Sequence, residues 1–574
     1  LSAQHHSPAR QPSTSAQHVS PARQPSTSAQ HVSPAPQPST TAQHHTLVQH
    51  LADHGFIAGI YRHRFIPLKA GILTMSLIIQ TSCGKVQGTF EGSVAVWKGI
   101  PFAKAPVGKL RFQAPQPREP WEGVFDATEF GPACVQGPNA MNPKEKLPQS
   151  EDCLNLNIWS PGADDKKRPV MVWIHGGSFV FGSGRTPWYN GRSFAEQGDV
   201  VVVTINYRLG PLGFLYLGDL VQQHPEFGEE YAVSGNCALL DQISALQWVH
   251  DNIAAFGGDP DCVTVFGESA GSMSVGSLLV APAARGLFQQ AIMESGAPSM
   301  KRIDTAVETR NRLLEALGLG SNDAAQLFEL PAEQLVAASD KIAQGTRLTW
   351  SPVMDGTVIT KPFATALESG ASKGIPLLIG CNLNELTLWT ARDPMWRQAQ
   401  DDTALMQMFE RRWGKIPPEL ASFYFNGKSG TELLDALTQL GSYSVFGAPI
   451  QKIANRRVGD SPLYVYRFDW QSTAAKGVLK ACHALEIPFV FNTIDDPSSQ
   501  VFTGDSADRA AVAMQMHHAW IAFAHTGNPN TGELPQWPAY NLDSRPTMIF
   551  DVESRVVNDP YGEERIVWEQ VIGQ

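Results

Sequence analysis

Short stretches dominated by Val, Ile, Leu, Met and Phe recur along most of the chain, and between them apolar residues return every three or four positions. The stretches at 169–174, 199–205, 263–266, 289–293, 376–380 and 463–468 read as strands buried on both faces, because a strand covered from both sides needs no polar face. Between the second and third, Leu239, Ile243, Leu246, Val249 and Ile253 predict one apolar face of a helix that stops before Gly257-Gly258. This alternation predicts an α/β fold: a mostly parallel central sheet covered by helices. Amphipathic patterns over 300–350 and 390–450 predict further helices, read as cap elements flanking a gorge.

The first 74 residues break the pattern. Ser2 to Thr14, Ser15 to Thr27 and Ser28 to Thr40 are near-copies of a thirteen-residue unit built on Ala-Gln-His and Gln-Pro-Ser-Thr. With few large apolar side chains and many prolines, such a segment cannot bury enough surface to offset its ordering entropy. The expected division is therefore a low-complexity segment, 1–74, and one α/β body, 75–574. Met75 marks the expected natural start, which would make the repeats upstream sequence; a stalk or binding tail is the alternative. Arginines before an apolar stretch at 65–82 suggest a secretion signal, but Pro67, Lys69, Thr74 and Gln80 interrupt it.

Composition narrows the partners. The 574 residues are 43% hydrophobic and 17% charged, enough for a large core. Removing the first 74 residues leaves 39 basic against 54 acidic groups, a balance that argues against a nucleic-acid partner. No uninterrupted apolar run is long enough to span a membrane, and a cytoplasmic location is expected. Seven cysteines without a C-x-x-C pair predict no metal site.

Chemistry enters at Gly267-Glu268-Ser269-Ala270-Gly271, where the strand Val263-Thr264-Val265-Phe266 meets a run of small and apolar residues that reads as a helix. A serine on so sharp a turn needs small neighbours, and the turn lifts its hydroxyl out of the sheet. Ser269 is the candidate nucleophile. The N–H of Ala270, at a helix N-terminus, then faces the place where charge develops on an attacked carbonyl. A second set of donors is expected from a glycine-rich loop after an earlier strand, and His175-Gly176-Gly177-Ser178-Phe179 follows the strand at 169–174. Gly177, Ser178 and Ala270 are the candidate oxyanion-hole donors.

Nine of the sixteen histidines lie in the first 74 residues. Among the other seven, His483 lies on a segment after the late strand at 463–468, where this architecture carries its base. The third member is a carboxylate between Ser269 and His483 in chain order. Glu385, after the strand at 376–380, and Asp355, in Ser351-Pro352-Val353-Met354-Asp355-Gly356, both satisfy that condition.

The chain from Met75 onward resembles type-B carboxylesterases, the group that includes bacterial para-nitrobenzyl esterase-like enzymes and cholinesterases. Phe256-Gly257-Gly258-Asp259-Pro260-Asp261-Cys262-Val263-Thr264-Val265-Phe266-Gly267-Glu268-Ser269-Ala270-Gly271 matches the family's serine signature, and Glu151-Asp152-Cys153-Leu154-Asn155-Leu156-Asn157-Ile158-Trp159 resembles its second. Asn206-Tyr207-Arg208, Lys98-Gly99-Ile100-Pro101-Phe102-Ala103 and Trp537-Pro538-Ala539-Tyr540 are further landmarks, and Ile78-Ile79-Gln80-Thr81-Ser82 resembles its first strand.

The resemblance implies an α/β-hydrolase fold, a serine esterase working through an acyl-enzyme without a cofactor, and a small-molecule ester substrate. It favours Glu385 over Asp355 as the acid beside Ser269 and His483, and it places the oxyanion donors at Gly177, Ser178 and Ala270. It also implies a possible disulfide between Cys134 and Cys153, which if oxidised would point to secretion. No aromatic residue lies between those cysteines, where cholinesterases carry a tryptophan, so a choline-ester preference is not expected. The same machinery serves carbamate, amide and thioester hydrolysis, and the same fold serves non-catalytic neuroligin-like adhesion modules.

Overall fold

The structure, a computed structural model, describes residues 77–574 apart from 139–145, 222–223, 225–226, 344–347, 393–395, 397–400 and 573–574. The tandem repeats, and the boundary expected near residue 74, lie outside the described residues.

Thirteen strands among the described residues form one sheet. They are β1 (Leu77–Gln80), β2 (Lys85–Glu91), β3 (Val94–Pro101), β4 (Val124–Asp126), β5 (Asn155–Ser160), β6 (Arg168–Ile174) and β7 (Val201–Ile205), followed by β8 (Gly258–Glu268), β9 (Gln290–Glu294), β10 (Leu377–Asn382), β11 (Leu463–Phe468), β12 (Pro546–Phe550) and β13 (Arg555–Asn558). Their order is β1-β2-β3-β5-β7-β6-β8-β9-β10-β11-β12-β13, with β4 beside β2. From β7 through β12 every pairing is parallel; the pairings of β1 with β2, β2 with β3, β3 with β5, β5 with β7, and β12 with β13 are antiparallel.

Alternation along the central strands fills two cores. On β6, Val170, Val172 and Ile174 enter one while Met171 and Trp173 enter the other; on β7, Val201, Val203 and Ile205 face one and Val202 the other. Successive side chains point to opposite faces, so a wholly apolar strand must be covered twice. The predicted helix, observed as Cys237–Asn252, covers the first face together with the helix Ala270–Val280. The helix Arg509–Thr526 covers the second through Val512, Met516, Trp520 and Phe523.

The six predicted strands are present, and β8 runs longer than 263–266. Near its start Asp259 and Pro260 are half-exposed and Asp261 is exposed, so no apolar signal marks them. The expected helices appear as Ile303–Leu317 and Ala332–Ala343, then Asp402–Trp413, Pro418–Phe425 and Gly430–Ser442.

Four connections leave the carboxyl end of the parallel sheet side by side. β6 runs into the His175 loop, β8 into Ser269, β10 into the turn that carries Glu385, and β11 toward His483. Ligand chemistry in open parallel sheets sits at this edge, beyond the strand ends.

Candidate active site

Ser269 takes φ 56° and ψ −119°, a conformation that a non-glycine residue adopts only when its surroundings impose it. Its N–H donates to the Glu294 carbonyl at 2.9 Å, and its carbonyl accepts from the Met273 N–H at 2.9 Å. The turn is therefore tied to β9 on one side and to the helix on the other. A Cβ at position 271 would lie 1.9 Å from the Ile174 carbonyl oxygen, and one at position 267 would lie 2.5 Å from the same atom. Both glycines are required by this close approach to β6.

The loop after β6 is strained in the same sense. Gly177, Ser178 and Phe179 have φ of 107°, 54° and 63°, and a Cβ on Gly177 would fall 1.9 Å from the Phe181 carbonyl oxygen. Two consecutive non-glycine residues at positive φ each store about 1–3 kcal/mol. The N–H groups of Gly177 and Ser178 make no hydrogen bond to other described residues. Ala270, the first residue of its helix, has an N–H that intrahelical bonding leaves free. Gly176 brings the loop to the elbow: a Cβ there would be 3.1 Å from Cβ of Ser269.

His483 and Glu385 meet directly. Nδ1 of His483 lies 2.6 Å from Oε2 of Glu385, and the His483 N–H donates to the Glu385 carbonyl at 3.1 Å. The other carboxylate oxygen, Oε1, accepts from the Asn382 N–H at 2.8 Å. These bonds orient the carboxylate, and the carboxylate fixes the imidazole with a proton on Nδ1. Nε2 faces the elbow, 3.1 Å from Oε1 of Glu268, in a contact that is not aligned as a hydrogen bond. Among the described residues no hydrogen bond joins Nε2 to the Ser269 hydroxyl. Catalytic hydrogen bonds are often long before substrate arrives. The rings of Phe446 and Trp389 flank the imidazole at 4.8 and 5.1 Å.

Asp355, the alternative carboxylate, is occupied elsewhere. Its Oδ1 accepts from the N–H groups of Thr357, Val358 and Ile359, and its Oδ2 from the Asn236 side chain at 2.9 Å. It closes a turn.

Residues 75–568 match the carboxylesterase family. The chain belongs to that family. It is a carboxylic ester hydrolase of α/β-hydrolase fold. It is 42% identical to a para-nitrobenzyl esterase of Bacillus subtilis over 85% of this chain and 97% of that protein. A phenmedipham hydrolase of Pseudarthrobacter oxydans is 34% identical over 84% and 96%. Among solved structures, a carboxylesterase of Geobacillus stearothermophilus is similar with a TM-score of 0.77 and 44% identity, covering 86% of this chain and 99% of that one.

Four buried carboxyl groups of this carboxylesterase are electrostatically linked: Glu268 and Glu385 contact the imidazole, Glu486 acts on both Glu268 and Glu294, and none is more than 3% exposed. Only Glu385 was expected from sequence. Glu486 accepts from the Ser295 hydroxyl at 3.2 Å and from the Asn382 side-chain amide. Burial, then the Glu385 charge, pushes Glu486 up to about 7. Glu294 accepts from the Trp520 indole at 2.8 Å through Oε1, while its Oε2 has no hydrogen-bond partner among the described residues. Burial, then the Glu486 charge, holds Glu294 well above the usual carboxylate range.

Glu268 and His483 compete for one proton. Burial opposes charge on His483, but the carboxylates of Glu268, Glu385 and Glu486 outweigh it and raise the imidazole to about 9. Burial also pushes Glu268 well above the carboxylate range. With the proton on Glu268, His483 is left neutral, the form that can accept a proton from a hydroxyl.

Short motifs did not reveal Glu294, Glu486 or Asn382, because their partners are distant in sequence. A glutamate three residues past His483 in an apolar segment was the available signal for Glu486. His175 is buried and stacked on Tyr207, with ring centroids 4.5 Å apart, and burial lowers it to about 4. Cys134 and Cys153 are buried free thiols in mutual side-chain contact, not joined as the resemblance allowed. The Cys134 sulfur, then burial, pushes the Cys153 thiol well up. Among the described residues no helix is long and apolar enough to cross a membrane.

Proposed function

We propose that this carboxylesterase hydrolyses small apolar esters with Ser269 as nucleophile, His483 as general base and acid, and Glu385 as the carboxylate that orients the imidazole. The observation that carries the assignment is the 2.6 Å contact of Glu385 with His483 Nδ1, which leaves Nε2 turned toward the Ser269 elbow.

His483 Nε2 takes the Ser269 proton as Oγ bonds to the ester carbonyl carbon, and the carbonyl electron pair moves onto oxygen. The N–H groups of Gly177, Ser178 and Ala270 receive that oxyanion, a contribution of about 3–4 kcal/mol for each well-placed donor. When the oxyanion collapses, the alkoxy group leaves with the proton from Nε2. Water then attacks the acyl-enzyme, giving its proton to Nε2, and the second collapse returns that proton to Ser269 as the carboxylic acid departs. Glu385 holds one tautomer and stabilises the imidazolium. The aromatic faces of Trp389 and Phe446 beside the imidazole suit an apolar leaving group.

Ser269→Ala is the test. Hydrolysis of p-nitrophenyl butyrate is expected to fall by at least about 10³-fold with folding unchanged by circular dichroism. A p-nitrophenyl alkylphosphonate is expected to bond its phosphorus to Ser269 Oγ with release of p-nitrophenolate, adding the mass of the phosphonyl group to the parent protein and leaving the variant unmodified. Full activity in the variant, or labelling of another residue, would overturn the assignment.

A further inference from the structure

The loop that carries Gly177 and Ser178 is held from outside by one amide side chain. Gln136 is buried at 8% exposure, and its side chain spans to Gly182 as a strand neighbour would. Its Nε2 donates to the Gly182 carbonyl at 3.0 Å, and its Oε1 accepts from the Gly182 N–H at 2.8 Å. The second Nε2 hydrogen goes to the Cys134 carbonyl at 3.0 Å. Both hydrogens of the amide are used. The base of this clamp is fixed in turn: the Gln136 N–H donates to Gln149 Oε1 at 3.1 Å, and the Cys134 sulfur accepts from the Leu209 N–H at 3.3 Å.

Gly182 makes these bonds, accepting one and donating the other, in a conformation that suits glycine. Its φ is 120°, and a Cβ there would lie 2.3 Å from Nδ1 of His175, the residue that opens the loop. The two ends of the loop are thus packed on each other. Within it, the Gly177 carbonyl accepts from Val180 at 2.9 Å and Phe181 at 3.1 Å, and the Phe179 carbonyl accepts from Gly210 at 2.7 Å. Positive φ at Ser178 and Phe179 persists only while such contacts over-determine the backbone. Gln136 comes from a segment 46 residues away in sequence and makes the only side-chain clamp on Gly182 among the described residues.

We propose that Gln136 is a positioning residue for the oxyanion hole: by pinning Gly182 it keeps the N–H groups of Gly177 and Ser178 converged on the reacting oxygen. The inference rests on the assignment of those two donors above. The donors act on the oxyanion and not on the ground-state ester, so the clamp bears on kcat and leaves KM in place. A displacement of about 1 Å at such a site costs on the order of 10² in rate.

Gln136→Leu removes all three bonds, and Gln136→Glu, with the same outline, removes both donors and serves if the leucine variant does not fold. With p-nitrophenyl butyrate, kcat is expected to fall about 10- to 100-fold with KM within about twofold. Affinity for an aryl trifluoromethyl ketone, whose carbonyl carbon bonds to Ser269 Oγ and whose oxygen becomes an oxyanion, is expected to fall by the same factor. A lower melting temperature with unchanged kcat and ketone affinity would overturn the proposal and leave Gln136 a purely structural residue. Gly177→Ala, whose added methyl collides with the Phe181 carbonyl inside the loop, separates the two levels. If that variant binds the ketone as tightly as the parent, the donor assignment itself fails. If it binds weakly while both Gln136 variants match the parent, only the clamp is refuted.

Discussion

Glu268 Oε1 lies 3.1 Å from Nε2 of His483, the ring nitrogen opposite the one that Glu385 holds. The imidazole is therefore bracketed by two carboxyl groups, and its readiness to accept a proton depends on which of them is charged. Glu268→Gln removes a negative charge that favours the imidazolium, so His483 titrates at lower pH. Because the base must be neutral, the acid limb of kcat/KM moves toward lower pH. An acid limb that stays in place would show that the two groups do not share a proton.

Glu385→Gln tests the opposite nitrogen. A glutamine that keeps its oxygen on the Asn382 N–H must turn its NH₂ toward His483 Nδ1, forcing the ring proton onto Nε2. The base is then blocked in the wrong tautomer. The expected loss is about 10⁴ in kcat with little change in KM, measured by steady-state hydrolysis.

Glu294 gives a stability prediction with a defined sign. Its folded pKa is raised by burial, so the folded chain retains a proton that the unfolded chain releases above about 4.5. Its contribution to stability is intact below that pH and declines as pH rises toward the folded value. Glu294→Gln keeps an oxygen for the Trp520 indole and cannot ionise. At pH 5 the variant is expected to melt at or slightly below the parent. At pH 8 it is expected to melt above the parent, because it has no proton to lose. A difference in melting temperature that is constant with pH would remove Glu294 from the titrating set.

Local patterns carried the central sheet and the elbow because both are written in neighbouring residues. The strands at 169–174 and 463–468 are apolar throughout, and Gly267-Glu268-Ser269-Ala270-Gly271 is contiguous. The antiparallel strands are quieter: β2 reads Lys-Val-Gln-Gly-Thr-Phe-Glu, with Lys85, Gln87 and Phe90 exposed, so no apolar run announces it. The supports of the site were hidden for a different reason. Asn382 reaches Glu486 across 104 positions and Gln136 reaches Gly182 across 46, and no local pattern records such meetings.

Gly271→Ala probes the close approach of the elbow to β6. The added methyl would sit 1.9 Å from a backbone oxygen that cannot swing aside. Overpacking of this kind costs about 1–3 kcal/mol, and here the strain falls on the turn that aims Ser269. The variant is expected to fold with a lower denaturant midpoint and to lose most of its activity. Normal turnover in a fully folded variant would contradict the geometry of the turn.

Arg208 and Asp241, at 2% and 0% exposure, form a buried pair through bonds of 2.8 and 2.7 Å, and Asp241 also accepts from the Arg208 N–H at 3.1 Å. Asp241→Asn strands a guanidinium in the core. Loss of one partner is expected to cost about 3–5 kcal/mol, read from urea unfolding followed by tryptophan fluorescence. A loss below about 1 kcal/mol would mean that solvent reaches the arginine.

The parallel run from β6 to β11 draws on strands widely separated along the chain, and the groups at their tips span residues 175 to 483. Half-made chains therefore lack a complete reaction centre, however well their early strands pair. Regain of esterase activity during refolding therefore reports that both ends of that span have docked.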